Sequence, residues 1–99
     1  MVTKDEAKRY LCNAAPEQCF WVNNGPILKN IEELANYLPD MPNEAFQHHV
    51  NSEKNDFSSW IKDIVGDQKL ANDLLSSKSR ESAVKKIKNR LNSLRKKAG

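Results

Sequence analysis

Phe46-Gln47-His48-His49-Val50-Asn51-Ser52-Glu53-Lys54-Asn55-Asp56-Phe57-Ser58-Ser59-Trp60-Ile61 is the stretch that decides the fold, because its apolar residues recur at three and four rather than at two. Ala45, Phe46, His49 and Val50 fall on one helical face. Asn55 or Asp56 then supplies an N-cap, and Phe57, Trp60, Ile61, Ile64 and Val65 follow the spacing of a helix stripe buried on one side. Gly66 is a natural terminator. The odd local choice is His49, a titratable group on an apolar face just before the cap.

The same spacing continues in both directions. Downstream, Asp67 caps a shorter helix carrying Leu70, Ala71, Leu74 and Leu75, and Ser76-Ser77-Lys78-Ser79 reads as a break. A last helix, from about Arg80 to Lys97, sets Val84, Ile87, Leu91, Leu94 and Ala98 in alternating steps of three and four, with cations over the remaining surface. Upstream, Asp40-Met41-Pro42 opens the helix that carries His49, with proline near the first helical position. Asn30 with Glu33 forms a capping box before Ile31, Leu34, Ala35 and Leu38, and Pro39 ends that helix. Thr3 with Glu6 forms another, for a first helix over about residues 4–14 that stops before Pro16. Only Phe20-Trp21-Val22 and Ile27-Leu28, around Asn23-Asn24-Gly25-Pro26, read as extended. The expectation is an all-α fold. It is a compact bundle of five or six short helices with at most a minimal two-stranded ribbon near residues 19–28. One domain covers residues 1–99, with a body at about 20–75 and a basic helix at about 80–97.

Ninety-nine residues suit one domain, which at this size buries somewhat more than about 60% of its unfolded surface. The longest apolar run is Cys19-Phe20-Trp21-Val22, and the chain opens on Lys4, Asp5, Glu6, Lys8 and Arg9, so neither a membrane span nor an export signal is expected. Two cysteines, Cys12 and Cys19, are too few for a disulfide scaffold, which favours free thiols in the reducing cytoplasm. The net charge of +3 is unevenly placed: residues 1–77 carry seven Lys/Arg against twelve Asp/Glu, a net −5, and residues 78–99 carry nine against one, a net +8. A concentrated positive segment draws phosphates, acidic proteins or anionic head groups, whereas the plainer reading is a solvated helix face paired with the acidic body.

Phe20-Trp21, Gly25, Leu34, Phe46, His49-Val50, Asn55-Asp56-Phe57, Trp60-Ile61 and Asp67 with Leu70-Ala71 together resemble the pattern of a family of small uncharacterised prokaryotic domains of unknown function. The resemblance covers Phe20 to about Leu75 and implies an archaeal or bacterial helical domain. It implies no activity, ligand or catalytic residue.

His49, Asn55, Asp56 and Trp60 form a candidate polar cluster. A carboxylate beside an imidazole suits acid–base chemistry, yet a histidine between Phe46 and Val50 is more often a core residue with its ring nitrogens bonded, and Asn55-Asp56 is fully explained as a cap. The structural role is preferred. Cys12, Cys19, His48 and His49 have poor spacing for zinc, since adjacent helical residues point roughly 100° apart and no C-x-x-C pair exists. No nucleophile elbow, P-loop or dinucleotide fingerprint appears. Phe20-Trp21 beside Asn23-Asn24-Gly25 offers rings that can stack on a base or a partner side chain, but the preferred expectation is one ring in the core and the other partly exposed. No catalytic residue, cofactor or metal is expected. The favoured function is a non-enzymatic binding module whose basic helix contacts an anionic partner, nucleic acid or an acidic protein, through Lys85, Lys86, Lys88, Arg90, Arg95, Lys96 and Lys97. The alternative is a protein-interaction domain using the face around Trp21 and His48, with a solubilising tail. A small enzyme using His49 with Asp56 ranks last.

Overall fold

The computed structural model describes residues 2–77 and 79–99, so Lys78, part of the expected break and of the basic segment, lies outside the described residues. Six α-helices and one two-strand ribbon are seen among the described residues. Helix α1 (Lys4–Leu11) starts on the expected box: Thr3 Oγ1 accepts from the Glu6 N–H and the Thr3 N–H donates to Glu6 Oε1. It ends three residues earlier than the spacing suggests. Cys12 turns extended, and the Ala14 N–H is taken by the Lys29 carbonyl at 2.7 Å, a partner supplied by the ribbon instead of the preceding turn. A 3₁₀ turn, Pro16–Gln18, then leads into the ribbon.

Strands β1 (Phe20–Trp21) and β2 (Ile27–Leu28) pair antiparallel, Phe20 opposite Leu28 and Trp21 opposite Ile27. Alternation does the rest: Phe20 and Leu28 are buried, Trp21 and Ile27 exposed. Asn24 takes the left-handed conformation of the turn at φ 57°. Gly25 is required for space, since a Cβ there would lie 2.8 Å from Val22 Cγ1 and 3.0 Å from the Tyr37 hydroxyl.

Helix α2 (Ile31–Tyr37) is capped by Asn30, but the Glu33 carboxylate accepts from the Lys29 N–H, one residue before the cap. Pro39 does not stop the coil at once: it sits inside a 3₁₀ turn, Leu38–Asp40, where its missing N–H costs little. Helix α3 (Asn43–His49) follows Pro42, which is the cap rather than the first helical residue, and buries Ala45, Phe46 and His49 as expected. Asn55 caps α4 (Asp56–Trp60) through the Ser58 N–H. The single regular helix expected to Val65 changes at Ile61 into a π-helical turn, Ile61–Val65, closed by the Gly66 N–H on the Ile61 carbonyl with Gly66 at φ 91°. The wider turn leaves Ile64 and Val65 only half-buried.

Asp67 caps α5 (Gln68–Leu75), whose inner face is Leu70, Ala71 and Leu74; Leu75, expected on that face, is 56% exposed because it lies about 100° further round. Helix α6 (Arg80–Ala98) packs on α1, α2 and α5. Ala83, Ile87, Leu91 and Leu94 are buried and Val84 and Ala98 half-buried, and each leucine-sized side chain so placed contributes about 1.5–3 kcal/mol. The Arg80 guanidinium also donates to the Met41 carbonyl, anchoring the start of α6 beside the turn before α3.

Candidate functional site

The loop between α3 and α4 folds tightly, with Val50 bridged to Asn55 and the Asn51 N–H on the Lys54 carbonyl, and this brings His49 to Asp56. His49 Nδ1 lies 2.9 Å from Asp56 Oδ2, and His49 Nε2 accepts from the Asn23 N–H at 3.0 Å. A backbone N–H facing Nε2 requires a bare lone pair there, so the proton sits on Nδ1 and points at the carboxylate. The ring is 5% exposed and enclosed by Phe20 and Phe57, with centroids at 4.9 and 5.6 Å. Both nitrogens are thus occupied inside the fold. Burial pushes the Asp56 carboxyl up, but hydrogen bonds from His49 and Lys54 outweigh it and hold the group below its ordinary value.

The other two members of the expected cluster bond elsewhere. Asn55 Nδ2 donates to the Leu74 carbonyl, and Trp60 Nε1 donates to the Gln18 carbonyl at 2.8 Å. Helix α4 is therefore tied by polar side chains to α3, to α5 and to the turn before β1.

Beyond Arg80, the seven candidate cations of α6 separate into two groups. Arg90 grips Asp67, which is 1% exposed, and these hydrogen bonds hold the guanidinium above its ordinary value against the opposing effect of burial. Lys86 Nζ donates to the Asp73 carbonyl and to Ser76 Oγ. Arg95 pairs with Glu32 at 2.6 Å on the surface. Lys85, Lys88, Lys96 and Lys97 are exposed and have no hydrogen-bond partner among the described residues. Lys85, Lys88 and Lys96, with Asn92 between them, recur at i, i+3, i+7 and i+11, which places them on one face over roughly 16 Å. Asp67 was readable in the sequence as a cap but not as the partner of Arg90. The usable signal was that Arg90 stands three residues after Ile87 and four before Leu94, beside the buried stripe.

On the opposite kind of surface, Trp21 is 67% and Ile27 48% exposed, and the two are cross-strand neighbours. His48 is exposed on α3. Cys12 and Cys19 are free thiols. Among the described residues, no three His, Cys, Asp or Glu side chains are grouped to hold a metal ion, and no helix is long and apolar enough to cross a membrane. No family model, curated protein or solved structure matches the chain.

Proposed function

We propose that this chain is a non-enzymatic binding module whose C-terminal helix contacts an anionic partner, nucleic acid first among the candidates, through Lys85, Lys88 and Lys96 with Lys97 and Arg95 beside them. The observation that carries this reading is the row of exposed lysines on one face of a docked helix, none with a protein partner among the described residues. Contacts of this kind give affinity for phosphates without reading sequence. Arg90 and Lys86, grouped with the others on sequence alone, are held by Asp67 and by α5 and belong to the fold. His49 is a positioning residue, since neither ring nitrogen is free to meet a substrate. Two free thiols fit the cytoplasmic location expected from the sequence, and the prokaryotic origin rests on the sequence resemblance over Phe20 to Leu75 alone.

Fluorescence anisotropy with a labelled DNA duplex tests it. Three phosphate contacts imply that affinity falls roughly forty-fold between 50 and 200 mM salt. Charge reversal of Lys85, Lys88 and Lys96 to Glu is expected to abolish binding and leave the thermal transition in place. Equal binding by both proteins, or none by the wild type, removes the reading. A protein-interaction module then moves forward, favoured by one observation: Trp21 and Ile27 expose adjoining apolar side chains on the ribbon.

A further inference from the structure

Arg90, Ser93 and Lys97 recur at i, i+3 and i+7, so they share a flank of α6 separate from the face of Lys85, Lys88 and Lys96. That flank forms one wall of an open cleft of about 500 Å³ between α1, α5 and α6, a volume in the range of small-molecule sites. We infer that this cleft binds a small organic anion, an apolar body carrying one carboxylate, sulfonate or phosphate group.

The polar wall is a set of donors. Arg90 spends Nε and Nη2 on Asp67, which fixes the guanidinium in place and leaves Nη1 without a partner among the described residues. Ser93 Oγ and Lys97 Nζ likewise have none there, and all three residues line the cleft. Lys97 supplies positive charge that Asp67 does not cancel. The acid at the rim is Glu6, whose carboxylate already accepts from the Thr3 N–H at 3.0 Å and the Tyr10 hydroxyl at 3.4 Å. Val2 and Tyr10 from the α1 side, with Leu94 beside the donors, give the cleft apolar lining. A bare inorganic anion would leave the apolar lining uncovered, and a neutral hydrocarbon would make no use of the donors. An amphiphilic anion satisfies both.

The full chain is titrated with 8-anilinonaphthalene-1-sulfonate, followed by dye fluorescence and by backbone amide shifts. Expected is saturable binding of one equivalent, with shifts confined to residues 2–10, 67–69 and 90–97. Lys97→Glu should weaken it about tenfold, the size of one lost charge-assisted contact. Lys88→Glu, on the other face, should leave it within about twofold. N-phenyl-1-naphthylamine, which has no sulfonate, should bind about tenfold more weakly than the anionic dye. The inference is overturned by non-saturable binding, by equal effects of the two charge reversals, by equal affinity for the uncharged dye, or by shifts centred on Trp21 and Ile27. The cleft shares only Lys97 with the duplex-binding residues, so Lys85→Glu with Lys88→Glu should disturb duplex binding and spare the dye.

Discussion

Arg90 and Asp67, 23 residues apart in the chain, meet through two parallel hydrogen bonds, Nε to Oδ2 at 2.7 Å and Nη2 to Oδ1 at 2.9 Å. The same carboxylate caps α5 through the Leu70 N–H, so one side chain fastens α6 and starts the helix beneath it. Removing the cation strands a buried charge. Arg90→Ala should lower stability by about 3–5 kcal/mol, and Arg90→Lys should recover only part of this because an ammonium cannot make the paired contact. Asp67→Asn keeps a capping oxygen and should cost less than Asp67→Ala. Urea denaturation of the four variants checks the order.

His49 joins the ribbon turn to α4. His49→Phe keeps an aromatic ring in the packing but leaves the Asn23 N–H without its partner and Asp56 with Lys54 alone, so a loss of about 1–3 kcal/mol is expected, as for His49→Ala. Hydrogen exchange separates the polar loss from a packing loss: the Asn23 amide should exchange faster in both variants. An unchanged Asn23 rate would place the cost in packing alone.

Asp56 makes stability depend on acid. The folded protein holds this carboxyl ionised at lower pH than the unfolded chain does, so the unfolded chain takes up the proton first as pH falls. Its contribution is complete above the unfolded value of about 3.9 and is lost as pH drops through the lower folded value. Thermal melts of wild type and Asp56→Asn should therefore differ most near neutrality and converge in strong acid. A gap that widens with acid would contradict the sign.

Two glycines are held for different reasons. A Cβ at Gly25 meets Val22 and the Tyr37 hydroxyl, so Gly25→Ala and Gly25→Asn should both cost about 1–3 kcal/mol by crowding. At Gly66 a Cβ meets ordinary contact distance, 3.6 Å to Tyr10, and the obstacle is φ 91°. Gly66→Ala should cost about 1–2 kcal/mol, with Gly66→Asn closer to wild type because asparagine tolerates the left-handed region. Chemical denaturation of the four proteins distinguishes space from conformation.

Helix caps and apolar stripes were legible because both are local: Thr3, Asn30, Asn55 and Asp67 all cap where their spacing to the next apolar run suggests. What escaped depends on partners distant in sequence. Ala14 leaves its helix for a carbonyl of Lys29, and Lys86 bonds carbonyl and hydroxyl oxygens that no charge pattern marks. The π turn at Ile61–Val65 escaped because its apolar spacing also suits a regular helix. In the candidate site, the burial of His49 followed from Phe46 and Val50. Its pairing with Asp56 needed the three-dimensional loop, and the division of the α6 cations needed the positions of α2 and α5.

The two tryptophans occupy opposite surroundings: Trp60 is buried with its indole N–H on the Gln18 carbonyl, while Trp21 stands in solvent on the ribbon. The chain thus carries two optical reporters. Iodide should quench the red-edge emission of Trp21 and spare the bluer emission of Trp60, and a Trp21→Phe protein would report the core alone. A protein seated on the ribbon would shield the first signal. A polyanion on α6 should leave it nearly untouched, so the intrinsic fluorescence of the unlabelled chain tells the two kinds of partner apart.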